Sequence, residues 1–262
     1  MSEFYIIAQR NNQYMLTSLL EKLGRYTLLM QKVFTRPQKW NVFFRQFFAE
    51  MSKLGVNSIW IVIIISFFIG AVIVVQIKLN IDSPFMPRYT VGYVSREILI
   101  LEFSSTIMCL ILAGKVGSNI ASEIGTMQVT EQIDALEIMG VNSANYIILP
   151  KITALMAFIP VLVVLSMVFG VIGGFAVCII GQIMPADTFQ YGLQSFFKEF
   201  YVWYAIVKTI VFAFIIASVA SFYGYAARGG SLDVGKASTD SVVMSSILVL
   251  VSDLLITQLM MS

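Results

Sequence analysis

The segment KVGSNIASEIGTMQVTEQIDALEIMGVNSANYIILPK, residues 115–151, lies between two long hydrophobic stretches and decides how the chain is organised. It contains four acidic residues and no basic residue between the two lysines that bound it. Strong helix formers recur in it with a helical period, yet it is too polar to cross a bilayer. We call this segment the island. Between two membrane spans, such a segment is expected to contact a soluble partner.

The composition of the chain is that of an integral membrane protein. Of its 262 residues, 58% are hydrophobic and 12% are charged, whereas soluble domains carry about 25% charged residues. The net charge of +2 comes without a basic arm and gives no indication of nucleic-acid binding. Cys109 and Cys178 lie in apolar stretches, where small buried side chains are expected rather than a disulfide or a metal site.

Catalytic signatures are missing from the sequence. It contains no histidine, which excludes imidazole metal ligands and histidine acid–base chemistry. A phosphate-binding G-x-x-x-x-G-K-[ST] loop and the H-E-x-x-H and G-x-S-x-G motifs are also absent. The chain is therefore predicted to have no catalysis or cofactor of its own. If the function uses ATP, a partner subunit is expected to bind the nucleotide and its magnesium.

Hydropathy predicts an all-α membrane protein with five transmembrane helices. They cover about residues 59–77, 98–114, 152–184, 201–223 and 242–261. A hydrocarbon core about 30 Å thick needs about 20 helical residues, so the second span is short unless its helix begins near Val91. The third is long enough to tilt, or to kink at Pro160. Gly170 and Gly174 form a small-xxx-small pair suited to close helix packing.

Residues 1–56 are predicted not to span but to form amphipathic helices in the membrane interface. The first helix shows one apolar face, formed by Leu16, Leu19, Leu20, Leu23, Thr27, Met30, Val33 and Phe34. After Pro37, a second, aromatic-rich face follows, formed by Trp40, Phe43, Phe44, Phe47, Phe48, Met51 and Leu54. Packing of these helices against the spans is the alternative, and both arrangements are compatible.

The distribution of Lys and Arg predicts the orientation. Eight basic residues precede Val56, and Lys115, Lys151, Arg228 and Lys236 lie on the same side. The opposite side carries Lys78, Arg88, Arg96 and Lys198. By the positive-inside rule, the N-terminus and the island are cytoplasmic and the C-terminus lies outside.

The acidic residues of the island point to a basic surface on a partner. Glu123, Met127, Thr130, Asp134 and Glu137 recur at helical spacing. An acidic stripe does not fit a helix resting on the anionic inner leaflet. Docking to a soluble partner is the first interpretation, and a solvated loop helix is the second.

Three charged residues lie inside predicted spans, namely Glu102, Lys208 and Asp253. Each costs about 2.5–3.5 kcal/mol on insertion scales, so each is expected to face the protein interior or a wet cavity. They either form the polar rim of a substrate pathway or neutralise one another, for example through a Lys208–Asp253 pair.

Residues 113–141, AGKVGSNIASEIGTMQVTEQIDALEIMGV, closely resemble the hallmark segment of the MlaE/YrbE permease family. The resemblance runs from about residue 40 to the C-terminus. It includes Arg45-Gln46, Phe68-Ile69-Gly70, Gln76, Lys208, Phe222-Tyr223-Gly224-Tyr225, Ser245-Ser246 and Asp253. The family's R-E-L-G-P stretch reads Leu101-Glu102-Phe103-Ser104-Ser105 here, so its arginine, glycine and proline are absent.

The resemblance implies a permease subunit of an MCE-type ABC transporter that moves phospholipid between two bacterial membranes. It implies a homodimer in the inner membrane, a pair of cytoplasmic ATPase subunits and a periplasmic MCE-domain protein. The chain then divides into an N-terminal region, 1–56, and a five-span permease domain, 57–262, with a coupling segment at 118–143. Within that segment, Glu123–Met139 resembles the coupling helix that sits in the ATPase groove.

The resemblance also implies two sets of site residues. The candidates for the lipid pathway are Glu102, Phe103, Gln76, Lys208 and Asp253. The candidates for contact with the ATPase are Glu123, Gly125, Met127, Thr130, Glu131, Asp134 and Glu137.

Three other functions stay open on the sequence. The first is a small-solute ABC importer permease, whose cytoplasmic loop carries an E-A-A…G…I-x-L-P motif. This motif is weakly similar to Asp134-Ala135-Leu136, Gly140 and Ile147-Ile148-Leu149-Pro150, but the spacing after Gly140 is too short. A scaffold or channel subunit that binds a soluble partner without pumping is the second. A membrane enzyme is the third, and the missing nucleophile and metal motifs argue against it.

Overall fold

The computed structural model describes residues 20–35, 37, 39–81 and 86–261. Throughout these residues the regular structure is helical, which confirms the predicted all-α fold. The helices are α1 (described over 20–33), α2 (Trp40–Asn80), α3 (Thr90–Val129), α4 (Gln132–Ile138), α5 (Ser143–Ile180), α6 (Ala186–Gln194), α7 (Phe200–Ala226) and α8 (Ser231–Met261).

Five of these helices, α2, α3, α5, α7 and α8, are long and apolar enough to cross a membrane, which confirms the predicted number of spans. Helix α3 begins at Thr90, close to the earlier start expected near Val91. Helix α5 starts well before the predicted 152 and runs through Pro160. It ends at Ile180 rather than at 184, because the Gly181 N–H makes the last helical hydrogen bond, to Val177, and Gln182 then adopts a left-handed conformation with φ of 47°.

The alternation of the five spans gives the bundle two ends. The island end carries the start of α2, the end of α3, helix α4, the start of α5, the end of α7 and the start of α8. The far end carries the start of α3, the start of α7 and the short helix α6. Phe189 of α6 is fully buried and packs edge-to-face on Phe175 of α5, which seats α6 on the bundle.

The island does not form one continuous helix, which corrects the reading of its acids as a single stripe. Its first part, Ser118–Val129, continues α3. The helix then stops at Thr130, because Glu131 adopts a left-handed conformation with φ of 59°. Helix α4 follows, and α5 begins after Asn142, whose side chain accepts a hydrogen bond from the Asn145 backbone N–H at 3.2 Å.

The N-terminal helices pack against the spans. In α1, Met30 and Val33 of the predicted apolar face are buried, whereas Leu20 and Leu23 are exposed. The Tyr26 hydroxyl donates a hydrogen bond to Ser218 Oγ of α7 at 2.9 Å. Leu16 and Leu19 lie outside the described residues. The interfacial position of α1 therefore stays a prediction.

The second predicted amphipathic helix is continuous with the first span. It forms the start of α2, where a π-helical turn, Met51–Gly55, and a 3₁₀ turn, Val56–Ser58, join it to the apolar segment Ile59–Asn80. The boundary drawn between residues 56 and 57 thus falls inside one helical run.

Glycine allows α2 and α5 to approach closely. A Cβ atom on Gly70 would lie 2.0 Å from the carbonyl oxygen of Gly170, and one on Gly173 would lie 1.9 Å from that of Phe67. Neither contact is possible for a larger residue without moving a backbone. The small-residue motif seen in the sequence therefore serves helix packing within one chain.

Candidate functional site

The charged residues of the spans meet in one group, which we call the membrane-depth cluster: Glu102 and Thr106 of α3, Lys208 of α7 and Asp253 of α8. The Lys208 ammonium forms an ion pair with Asp253 and lies 3.5 Å from Glu102 Oε1. At a helical rise of 1.5 Å per residue, Lys208 lies about 12 Å along α7 from Phe200, the first residue of that helix. The cluster is therefore inside the span. The pairing of Lys208 with Asp253, one of the two sequence-based alternatives, is present.

Neutral groups complete the cluster. The Thr106 hydroxyl contacts both carboxylates, at 3.1 Å from Asp253 Oδ1 and 3.3 Å from Glu102 Oε2. The Lys208 ammonium also donates to the Leu101 carbonyl oxygen at 3.4 Å and lies 5.1 Å from the centre of the Tyr204 ring. The ammonium is thus contacted from several sides, because an uncompensated charge is costly in the low dielectric of a span.

Exposure differs sharply among the three charged side chains. Lys208 is fully buried and Asp253 is 16% exposed, but the Glu102 side chain is 50% exposed. Glu102 and Thr106 lie in a π-helical run, Leu99–Ile107, a backbone form often found at functional sites. The cluster thus holds one carboxylate at the surface of the bundle within the span.

The other two lipid-pathway candidates lie apart from the cluster. Phe103 is buried in the hydrophobic core. Gln76 is exposed near the far end of α2. The structure therefore brings together Glu102, Lys208 and Asp253, and the role of all five residues in a lipid pathway stays a prediction.

A row of buried serines crosses the bundle beside the cluster. Ser66 of α2 donates to Ser166 of α5 at 2.8 Å, and Ser166 donates to Ser104 of α3 at 3.3 Å. Sequence reasoning missed these residues. The available signal was the presence of serine in three long apolar stretches, where a hydroxyl needs a partner.

A second charged group, which we call the island-end network, joins Glu50 and Lys53 of α2, Glu123 of α3 and Lys151 of α5. Lys151 is 2% exposed and lies 2.6 Å from Glu50 and 2.9 Å from Glu123. Lys53 reaches Glu123 from the solvent side at 2.7 Å. Two bases and two acids thus balance across three helices, and Glu123 is occupied by contacts within its own chain.

The remaining coupling candidates fall into buried and exposed positions. Gly125 is buried, and a Cβ atom there would lie 3.2 Å from Val234 of α8. Met127 is half-buried, whereas Thr130, Glu131 and Asp134 are exposed. The contribution of each to ATPase contact stays a prediction.

Helix α4 is fixed to the bundle and presents an apolar tip. Within α4, the side chain of Ile133 is buried. Glu137 Oε1 accepts hydrogen bonds from the hydroxyls of Ser143 at 2.9 Å and Tyr225 at 3.0 Å. Ile138 and Met139 at its end are 87% and 68% exposed. Sequence reasoning placed these two residues in the coupling segment but did not single them out.

The two cysteines are free and buried, as expected of small apolar side chains. Among residues 20–35, 37, 39–81 and 86–261, no group of three or more His, Cys, Asp or Glu side chains is arranged to hold a metal ion.

Comparison with known sequences gives concordant matches along most of the chain. The model of a family described as Permease MlaE matches residues 47–259. A probable ABC transporter permease protein of Rickettsia bellii is 33% identical over 241 residues, covering 92% of this chain and 93% of the relative. A probable ABC transporter permease protein of Synechocystis is 28% identical over 254 residues, covering 97% and 96%. The intermembrane phospholipid transport system permease protein MlaE of Haemophilus influenzae is 30% identical over 212 residues, covering 80% and 81%.

Proposed function

The chain belongs to the MlaE permease family, and on that premise we propose that it is the membrane subunit of an ABC transporter that moves phospholipid between the inner and outer membranes of a bacterium. In this proposal a homodimer lies in the inner membrane with its N-termini in the cytoplasm and its C-termini in the periplasm. A cytoplasmic ATPase supplies ATP and magnesium chemistry, and a periplasmic MCE-domain protein continues the lipid path.

The observation that carries the proposal is the membrane-depth cluster. A half-exposed carboxylate, Glu102, is held within an apolar span by Lys208 and Thr106. Charged groups at such a depth are costly and face a polar ligand or a wet cavity. Apolar walls suit acyl chains, and a carboxylate within them suits a headgroup.

The exposed surface of α4 supports contact with a soluble ATPase. Ile138 and Met139 form an apolar tip, with Glu131 and Asp134 exposed beside it. An apolar centre with a charged rim is the usual make-up of a protein interface. Because Glu137 ties α4 to Tyr225 of α7, a push on α4 is transmitted to the spans.

The two ends are connected through α3 and α5. Helix α3 carries Glu123 at the island end and Glu102 within the span, and α5 carries Lys151 and Ser166 at corresponding depths. Movement of α4 by the ATPase therefore shifts α3, which contributes to both charged groups, and α5, which contributes Lys151 to the island-end network. In the proposed cycle this shift alternately binds and releases a lipid.

The surface of α8 supports the homodimer. In the most apolar 18-residue stretch of this helix, only 11% of the residues are buried within one chain. Its exposed side chains include Val243, Ile247, Leu250, Leu254 and Leu259. A second copy packed there is proposed to cover part of this face and to enclose the lipid site.

The ATPase contact is tested by charge reversal on α4. The double variant Glu131→Arg/Asp134→Arg, co-expressed with the ATP-binding-cassette subunit from the same genome, is expected to lose co-purification of the ATPase. Glu199→Arg, the same change at an exposed position of the far end, is the matched control and is expected to retain it. Unchanged co-purification and ATP hydrolysis by the α4 variant would overturn the docking proposal.

The transport function is tested on the complete complex in vesicles. Transfer of labelled phospholipid to acceptor vesicles is expected to require ATP hydrolysis. Lipid transfer without ATP hydrolysis would favour a channel or scaffold subunit. ATP-driven uptake of a small solute without lipid transfer would favour the importer alternative.

A further inference from the structure

The membrane-depth cluster carries more negative than positive charge. It contains one ammonium group, on Lys208, and two carboxylates, on Glu102 and Asp253. The sequence places no other Asp, Glu, Lys or Arg in the segments 54–77, 98–114, 152–186, 201–227 and 241–261. No further charge from within these spans therefore offsets the second carboxylate.

Glu102 is the carboxylate that lacks a full partner. Asp253 pairs directly with Lys208 and also accepts from Thr106. Glu102 lies at 3.5 Å from the same ammonium, and its other oxygen is 3.3 Å from the Thr106 hydroxyl, so both contacts are long. Half of its side chain is open to the surroundings of the bundle. The open side of Glu102 is where a positive charge from outside the chain would be stabilised most.

An anionic group finds no such partner at the same place. Lys208 is fully buried behind the two carboxylates and also bonds the Leu101 carbonyl oxygen. The side chain next to Glu102 on its N-terminal side, Leu101, is aliphatic. A phosphate that approached Glu102 would therefore meet negative charge first, because the ammonium of Lys208 lies buried behind it.

Resting on the proposed function, we propose that Glu102 binds the primary ammonium of an aminophospholipid headgroup and thereby selects such lipids over purely anionic ones. The carboxylate accepts charge-assisted hydrogen bonds from the ammonium, which has three N–H donors. The lipid phosphate stays on the solvent side, and the acyl chains lie along the apolar faces of the spans. A quaternary ammonium carries the same charge without N–H donors. Lipids with this headgroup are therefore expected to bind Glu102 more weakly than aminophospholipids and more strongly than purely anionic lipids.

The test measures lipid composition on the purified full-length chain. Protein is reconstituted into vesicles of equal parts phosphatidylethanolamine, phosphatidylcholine and phosphatidylglycerol, re-extracted, and its bound lipid quantified by mass spectrometry. The expected ratio of phosphatidylethanolamine to phosphatidylglycerol is about tenfold above that of the bulk vesicle, on the scale of one charge-assisted hydrogen bond. Phosphatidylcholine is expected to be enriched to a smaller extent.

Two variants assign the selectivity to Glu102. Glu102→Gln keeps the shape and removes the charge, and its lipid ratio is expected to fall to the bulk value. Glu199→Gln removes an exposed carboxylate at the far end and is expected to keep the wild-type ratio. Retention of the enrichment by Glu102→Gln would overturn the proposal. If that variant does not fold, the wild-type ratio still decides, because a bulk-like or phosphatidylglycerol-rich ratio contradicts the selectivity.

Failure of this proposal is distinguishable from failure of the proposed function. Stoichiometric bound lipid with a bulk-like composition would contradict the selectivity and leave phospholipid binding intact. Absence of bound phospholipid, together with absence of ATP-driven lipid transfer, would contradict both.

Discussion

The membrane-depth cluster and the island-end network both pair lysines with carboxylates but differ in charge balance and exposure. At the island end, two lysines meet two glutamates, and the most buried member, Lys151, touches both acids. Within the span, one lysine meets two acids, and one of these, Glu102, is half-exposed. The balanced group joins α2, α3 and α5 into a unit, whereas the unbalanced group has unused capacity for a ligand.

The difference in surroundings sets how costly each group is to disturb. The island-end network opens to its surroundings at Lys53 and Glu123, which are 47% and 26% exposed, so water can rehydrate Glu123 when it loses a partner. The membrane-depth cluster lies in low dielectric, where an uncompensated charge costs several kcal/mol. The same substitution is therefore expected to lower the free energy of unfolding more within the span than at the island end. Single substitutions in the two groups test this expectation.

Lys208→Met is expected to have the largest effect. It leaves Asp253 and Glu102 facing each other without a base, and breaking a buried pair in this way costs on the order of 3–5 kcal/mol. The measurement is the free energy of unfolding of the purified chain in detergent. The double variant Lys208→Met/Asp253→Asn removes both partners of the direct pair and is expected to recover part of the loss. Wild-type stability of Lys208→Met would show that the pair does not hold the spans together.

Asp253→Asn separates the roles of the two carboxylates. Asp253 forms the direct pair with Lys208, so its neutralisation is expected to lower the free energy of unfolding by about 2–4 kcal/mol. Glu102→Gln, the matched change at the half-exposed position, is expected to cost less than about 1 kcal/mol. Equal losses in the two variants would mean that both acids are structural, and Glu102 would then have no spare capacity for a ligand.

Lys151→Met is expected to cost about 1–3 kcal/mol, less than the corresponding change within the span. Lys53 still pairs with Glu123, whose side chain is 26% exposed, so Glu50, whose Oε2 is buried without a hydrogen-bond partner, is the carboxylate that loses its base. The double variant Lys151→Met/Glu123→Gln is expected to be less destabilised than the sum of its single variants. A loss larger than that of Lys208→Met would reverse the order of the two groups.

The sequence was sufficient for the spans but not for the partners of their charged residues. Hydropathy predicts five crossings, and the cost of buried charge predicts that Glu102, Lys208 and Asp253 face the protein interior or a wet cavity. Whether Lys208 and Asp253 touch depends on how α7 and α8 are rotated about their axes. That rotation follows from packing along the whole helix, which a single sequence does not encode in any local pattern.

The island shows the same limit. Its helical period continues across Thr130 and Glu131, and no glycine or proline marks the break that the structure has there. Helical spacing places Glu123 on one stripe with Met127, Thr130, Asp134 and Glu137. Glu123 instead forms ion pairs with Lys53 of α2 and Lys151 of α5, while the backbone of this part of α3 packs against α7 and α8.

Lys53→Met is expected to have the smallest effect and to test why the two groups differ. The Lys53 side chain is 47% exposed, and an exposed pair of this kind contributes about 0–1 kcal/mol. Salt screens such a pair, so the difference from wild type in the free energy of unfolding is expected to vanish between about 0.01 M and about 1 M salt, as the screening length falls from about 30 Å to about 3 Å. The loss in Lys208→Met is expected to persist over the same range, because the ions do not enter the span. A Lys53→Met loss that is insensitive to salt would mean that water does not reach the island-end network, and exposure would then not explain why the two groups differ.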